Sequence, residues 1–152
     1  MGPINPPSNG SKYILISQDY VAKWVEAKVV ARAIEDIVVS FLFEEIFVRY
    51  GVLRQIVTNQ GTKFTSKLVR DLTDKYKIKH KKSTLYYPQA NEQVESTNKV
   101  LENIMTKTVQ MNRKYWSEKL RDAVWAYRIT WKHTTGFSPY QLVYGKEFIL
   151  PI

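Results

Sequence analysis

The sequence predicts a mixed α/β fold, a sheet flanked by helices. Three observations carry that prediction. Short runs rich in β-branched and aromatic residues, YILISQDY, KWVEAKVV and QIVTN, have strand character. Other segments place apolar residues at helical spacing. The order reads strand, strand, helix, strand, helix, strand, helix, helix, which suits a sheet covered by helices.

Each element follows from its own residues. Residues 1–12 hold three prolines and two glycines and read as a loop. Residues 13–20 read as a buried strand and 23–30 as its hairpin partner. Residues 33–50 form a helix: Ile34, Ile37, Val38, Phe41, Leu42 and Glu45 lie on one stripe, and Gly51 ends it. Residues 55–59 are a third strand. Residues 66–76 are a short helix, with Ser66 as N-cap and Leu68, Val69 and Leu72 facing inward. Residues 75–84 alternate, with Lys75, Lys77, Lys79 and Lys81 on one side and Tyr76, Ile78 and His80 on the other, as in a strand with one basic face. Residues 85–93 are a polar loop broken by Pro88. A long helix follows at 94–110, with Leu101, Ile104, Met105 and Thr108 on one side, and a second helix at 115–131 carries a Trp and Tyr stripe. In the tail, 134–151, Gly136, Pro139 and Gly145 signal turns.

Composition bounds the function. The 152 residues are enough for one domain and one core, and 44% are hydrophobic, so the chain is expected to fold. The net charge of +9 favours a polyanionic partner, of which nucleic acid is the usual one. The absence of cysteine excludes disulfides and cysteine-based zinc sites. His80 and His133 match no ligand spacing and read as packed or solvated side chains. No apolar run reaches the length of a membrane span and no signal peptide stands at the start, so an intracellular protein, nuclear or cytoplasmic, is expected with no membrane partner.

Three polar positions fall where strands or helices end: Asp19, Asn59 and Glu95. Carboxylates gathered at strand ends hold Mg²⁺ pairs for phosphoryl transfer. Alone, Asp19 reads as a turn residue and Glu95 as a first-turn residue favoured by the helix dipole. The lysine-rich segment is the stronger signal, because like charges on one face repel unless an anion screens them; the alternative is a solvated strand edge. Tyr115, Trp116, Trp125, Tyr127 and Trp131 have helical spacing and read as core and interface rather than as base-stacking platforms.

Several stretches together resemble the integrase catalytic core of gypsy-like long-terminal-repeat retrotransposons: GPINPPSNG, DYVAKWVEA, IVTNQGTKFTS, HKKSTLYYPQANEQVESTNK, WAYRITWKHTTGFSPYQLVYG and the LP at 150–151. The resemblance covers nearly the whole chain. It implies a ribonuclease-H-like mixed sheet, with 1–12 as a leading loop, 13–133 as the core and 134–152 as its tail. It also implies DNA as partner, and a triad of two Asp and one Glu holding Mg²⁺ or Mn²⁺. The position of the second Asp is Asn59, and that of the Glu is Glu95, with the family's gap of 35 residues between them. The first Asp precedes a GP dipeptide, which here is Gly2-Pro3 with Met1 before it. Asp19 matches the next strand's pattern and receives no metal. Tyr87 and Glu92 stand where the motif has His and Gly.

With Glu95 as the one remaining acid, tight two-metal binding and strand transfer are not expected of this chain. The resembled first, central strand precedes these residues, so an open slot is expected between 13–20 and 55–59, and with it marginal stability or completion by another chain or by upstream sequence. DNA contact is the property expected to persist, through Lys75, Lys77, Lys79, Lys81 and Lys82 and through Lys99, one turn after Glu95. Two other readings stay open: a fragment of an active polyprotein integrase, or a host-adopted DNA-binding module that forms a homodimer through helices at 94–131.

Overall fold

The computed structural model describes residues 1–83, 89–108 and 113–149. Two strands, β1 (Tyr13–Gln18) and β2 (Val25–Val30), form an antiparallel hairpin with Tyr13 opposite Val30 and Gln18 opposite Val25. Two more, β3 (Gln55–Thr58) and β4 (Lys79–Lys82), pair in parallel, Gln55 with Lys79 and Thr58 with Lys82. These are two separate two-stranded ladders; β1 and β3 do not pair with each other.

The outer edge of β1 holds the chain's first residue. The Ile14 N–H donates to the Met1 carbonyl at 2.9 Å, and the Met1 nitrogen donates to the Ile14 carbonyl at 2.8 Å. Backbone groups alternate in direction along a strand. Those of Ile16 and Gln18 therefore lie on the same edge, beyond the reach of β2.

Alternation also splits the core into two layers. Ile14 and Val25 face one side, against Leu101, Met105, Trp116, Leu120, Val124 and Tyr127. Leu15 and Val30 face the other, against Val38, Phe41, Leu42, Ile46, Phe47, Val69 and Ile78. The hairpin thus lies between helices on both faces.

The first helical stretch runs as α1 (Glu35–Phe41), a π-helical turn (Leu42–Phe47) and α2 (Val48–Tyr50). The wider π turn moves the buried pair after Leu42 to Ile46 and Phe47. Glu45 therefore leaves the expected buried stripe, and its carboxylate meets Arg49 at 3.3 Å and Lys28 at 3.6 Å. Ile34, also placed on that stripe, is the N-cap residue and is exposed.

One carboxylate joins three elements. Glu26 on β2 is buried and accepts from Trp24 Nε1 at 3.0 Å, from the Tyr50 hydroxyl, from Arg49 at 3.1 Å and from Arg128 at 2.8 Å. Arg128 also donates to the Val25 carbonyl at 2.6 Å and stacks 4.2 Å from the Trp24 ring centroid. Burial, then Glu26, raises the Tyr50 pKa above its usual value.

The short helices α3 (Thr62–Thr65) and α4 (Lys67–Lys75) follow β3. Ser66 caps α4, accepting from Val69 N. Val69, Leu72, Thr73 and Tyr76 point inward, so Leu68 is exposed, contrary to expectation. This helical stripe outcompetes the alternation read over 75–84: Lys75 ends α4, and Lys77 takes a left-handed φ of 55° to turn the chain. The strand is only Lys79–Lys82.

The long helix α5 (Gln89–Thr108) begins earlier than the sequence suggests. Residues 89–93, read as part of a loop, contain no helix breaker, and Glu92 in the first turn suits the helix dipole. The rest of that loop, 85–88, lies outside the described residues, as does residue 84 of the strand expected over 75–84. Thr108, expected on the buried side, is exposed in the last turn and donates to the Ile104 carbonyl.

A 3₁₀ turn (Arg113–Tyr115) leads into α6 (Trp116–Ile129). Its N-cap residue, Tyr115, supplies no side-chain cap. The buried Ser8 does so from the leading loop: its Oγ accepts from Ser117 N at 3.1 Å, and Trp116 Nε1 donates to the Pro6 carbonyl at 2.9 Å. The tail helix α7 (Pro139–Tyr144) starts in a capping box of Ser138 and Gln141 and ends at Gly145, φ 66°, where glycine takes the left-handed turn without strain.

Candidate nucleic-acid interface

The expected site lies where β3 ends and α5 packs across it. Thr58 Oγ donates to the Asn59 carbonyl at 2.9 Å and meets His80 Nε2 at 2.8 Å, so the imidazole nitrogen is the donor to Thr58. Burial, and secondarily Lys82, lowers the His80 pKa. The folded state therefore prefers neutral His80. Its contribution to stability is present above the unfolded value of 6.5 and is lost as pH falls below it. Urea unfolding at pH 7.5 and pH 5.5 should show the wild type losing more stability on acidification than His80→Gln. An equal loss in both would refute the linkage.

Asn59 is exposed, and its Oδ1 accepts from Gly61 N at 2.9 Å. The amide oxygen is thus committed to its own turn. A Cβ at Gly61 would stand 2.9 Å from that oxygen, so a larger residue there would displace the Asn59 side chain, although the Gly61 backbone, φ −55°, suits any residue. Asp19 behaves as a turn residue: its Oδ1 accepts from Val21 N at 3.0 Å and Ala22 N at 2.6 Å.

On α5, Thr97, Leu101 and Met105 are buried, while Glu95 and Lys99 are exposed. A polar pin fixes this helix. The Tyr127 hydroxyl on α6 receives Gln18 Nε2 at 3.0 Å and meets Thr97 Oγ at 3.3 Å. The pattern of alternating apolar residues gave no sign of this three-element pin, because each member is polar and lies in a different segment.

Lys79, Lys81 and Lys82 are exposed on β4, and no ion pair engages them among the described residues. Lys79 and Lys81 share one face, with His80 on the other. The surface expected from Lys75, Lys77, Lys79, Lys81 and Lys82 therefore keeps three lysines on the strand, Lys79 and Lys81 on one face and Lys82 on the His80 face. Lys75 lies over the Tyr76 ring at 5.5 Å, on the preceding helix.

The aromatic stripe divides. Trp116 and Tyr127 are core residues, as expected, but Tyr115, Trp125 and Trp131 are exposed. Trp125 packs edge-on against Phe148 at 5.3 Å, and Trp131 against His133 at 4.6 Å.

Mg²⁺ or Mn²⁺ does not fit the donors in place. Among the described residues no three His, Cys, Asp or Glu side chains converge on one point. Asn59 offers a neutral oxygen that is already engaged. Among the same residues, no helix is long and apolar enough to cross a membrane.

Comparison with known proteins adds three findings. No family model matches the chain. It is 25% identical over 99% of its length to a retrovirus-related Pol polyprotein from transposon 412 of Drosophila melanogaster, and 32% identical over 93% of its length to the Pol polyprotein of feline endogenous virus ECE1. It spans only 12% and 14% of those two relatives. Its fold matches a chain in the cryoEM structure of the simian T-cell lymphotropic virus intasome in complex with PP2A regulatory subunit B56 gamma, with a TM-score of 0.76 at 20% identity, covering 91% of this chain and 50% of that one.

Proposed function

From the premise that this chain belongs to the retroviral-type Pol polyproteins as an integrase-like domain, with their ribonuclease-H-like fold, we propose that it binds the phosphate backbone of DNA and does not carry out two-metal strand transfer. The observation that carries the binding is the exposed trio Lys79, Lys81 and Lys82, free of ion pairs among the described residues. Three ammonium groups on a four-residue strand repel one another in the free protein, and phosphates relieve that repulsion with release of counterions. Lys99, exposed on α5, is a further phosphate ligand. Such lysines position a duplex without reading its sequence.

The missing catalysis rests on Asn59. A pair of divalent ions needs negative oxygens, and this position supplies a neutral one held by Gly61 N. In one experiment, a labelled duplex is titrated with the protein from 50 to 200 mM salt, with and without Mn²⁺. The affinity should fall linearly in log–log form, and the triple variant K79A/K81A/K82A should lower the slope by about 2.7, at about 0.9 for each phosphate no longer neutralised. Mn²⁺ should neither tighten binding nor yield joined DNA. No binding by the wild type would end the DNA reading, and Mn²⁺-dependent joining would end the claim of inactivity.

A further inference from the structure

We propose that a cleft between the start of α1 and the β3–α3 turn is a second seat for a backbone phosphate, with Arg32 and Lys63 as its charged donors and Tyr13 as a hydroxyl donor. This rests on the DNA-binding reading above and assigns a place that β4 does not cover.

The cleft measures about 430 Å³ and is lined by Tyr13, Arg32, Ile34, Gly61, Thr62 and Lys63 among others. Two of its lining residues are cationic and none is acidic. Neither Arg32 nor Lys63 forms an ion pair among the described residues. Lys63 is partly buried, and its Nζ lies 5.2 Å from the Phe64 ring centroid, which restrains the side chain beside the opening. Arg32, in the short loop between β2 and α1, lines the same cleft. Holding two cations on one concave surface without a carboxylate costs Coulomb energy that a single anion removes.

Ile34, at the rim, is the N-cap residue of α1. Glu35 and Asp36 occupy the first turn of that helix but do not line the cleft. Thr62 is exposed on the opposite wall and presents a hydroxyl.

Shape and position select the ligand. The volume suits one phosphate with its adjoining sugar. Tyr13 is the one aromatic residue in the lining, and no array of amide groups is there to read a base edge. Lys82 pairs in register with Thr58, three residues before Gly61, so the end of the basic strand and the cleft stand at the same end of this ladder. A nucleic-acid backbone laid along β4 therefore continues into the cleft.

The test uses the whole chain and the same labelled duplex across the salt series. R32A/K63A should lower the slope by about 0.9, for the one phosphate no longer neutralised, and weaken binding at least tenfold at 100 mM salt. R32K/K63R, which keeps both charges, should keep the slope. K119A/R121A, on α6, removes the same charge elsewhere and should leave the slope close to wild type. Far-ultraviolet circular dichroism checks that each variant is folded, and R32Q/K63Q replaces the alanine pair if that pair is not. If the wild type fails to bind DNA, the general reading falls and this seat falls with it. If the wild type binds and K79A/K81A/K82A weakens it, while R32A/K63A matches the wild type or weakens binding no more than K119A/R121A, the seat alone is overturned.

Discussion

Replacing Glu26 by alanine is expected to lower folding stability by about 3–5 kcal/mol, the range for breaking a buried ion pair. The carboxylate is 6% exposed and is shared by Arg128, Arg49, Trp24 and Tyr50. Removing it strands groups of unequal cost. Arg49 is 47% exposed at its side chain and rehydrates in place, whereas Arg128, at 20%, keeps a charge in a partly dry setting. The indole N–H of Trp24 retains the Tyr50 hydroxyl at 2.9 Å. Glu26→Gln keeps one acceptor oxygen for Trp24 and Tyr50, but its amide NH2 replaces the oxygen that faces Arg49 and Arg128, so it should cost less than alanine and still destabilise. Urea unfolding followed by tryptophan fluorescence measures both. If Glu26→Ala unfolds at the wild-type midpoint with an unchanged slope, the carboxylate contributes nothing and the account fails.

The second large effect is expected at Leu101. Its side chain is fully buried on α5 among Ile14, Val25, Trp116, Leu120 and Val124. Leu101→Ala should cost about 3–5 kcal/mol through lost transfer energy and the cavity left behind. A domain of this kind has a net stability of about 5–15 kcal/mol, so the variant should be partly unfolded near body temperature. Leu101→Met, which conserves volume, should cost under about 1.5 kcal/mol. Lys99, two residues earlier and exposed, gives the contrast: Lys99→Ala should leave the unfolding midpoint unchanged while weakening DNA binding. A shift in stability at Lys99 comparable to that at Leu101 would contradict the assignment of the two faces of α5.

Much of this architecture could be read from local pattern. The hairpin, β3, the Ser66 cap, α6 and the Gly145 turn follow from residue types at close spacing, and they stand where those types put them. The failures share a cause. Over 75–84 a two-residue period was real, yet Val69, Leu72, Thr73 and Tyr76 had already claimed the start of that segment for a helix, and tertiary burial decided the contest. Glu45 left its stripe because the π turn has no signature in a single sequence. At the candidate interface, the placement of Lys79, Lys81 and Lys82 on an exposed strand was legible from charge and alternation. The Tyr127 pin and the Arg32–Lys63 cleft were not, since each gathers residues that are far apart along the chain and unremarkable alone.

The π turn at Leu42–Phe47 has a consequence for how this chain tolerates insertions and deletions. It gathers an extra residue between two anchored ends, the Val38 and Phe41 face behind it and the Arg49–Tyr50 end beyond it. Side chains there can drift in identity as long as their bulk persists. A frame-preserving loss of one codon there would rewind the turn to ordinary α geometry and leave the residues beyond it facing as before, whereas rewinding without that loss would rotate them by about a quarter turn, at about 3.6 residues per turn. Related sequences should therefore tolerate one residue fewer across this stretch while keeping bulk at the positions of Leu42, Ile46 and Phe47.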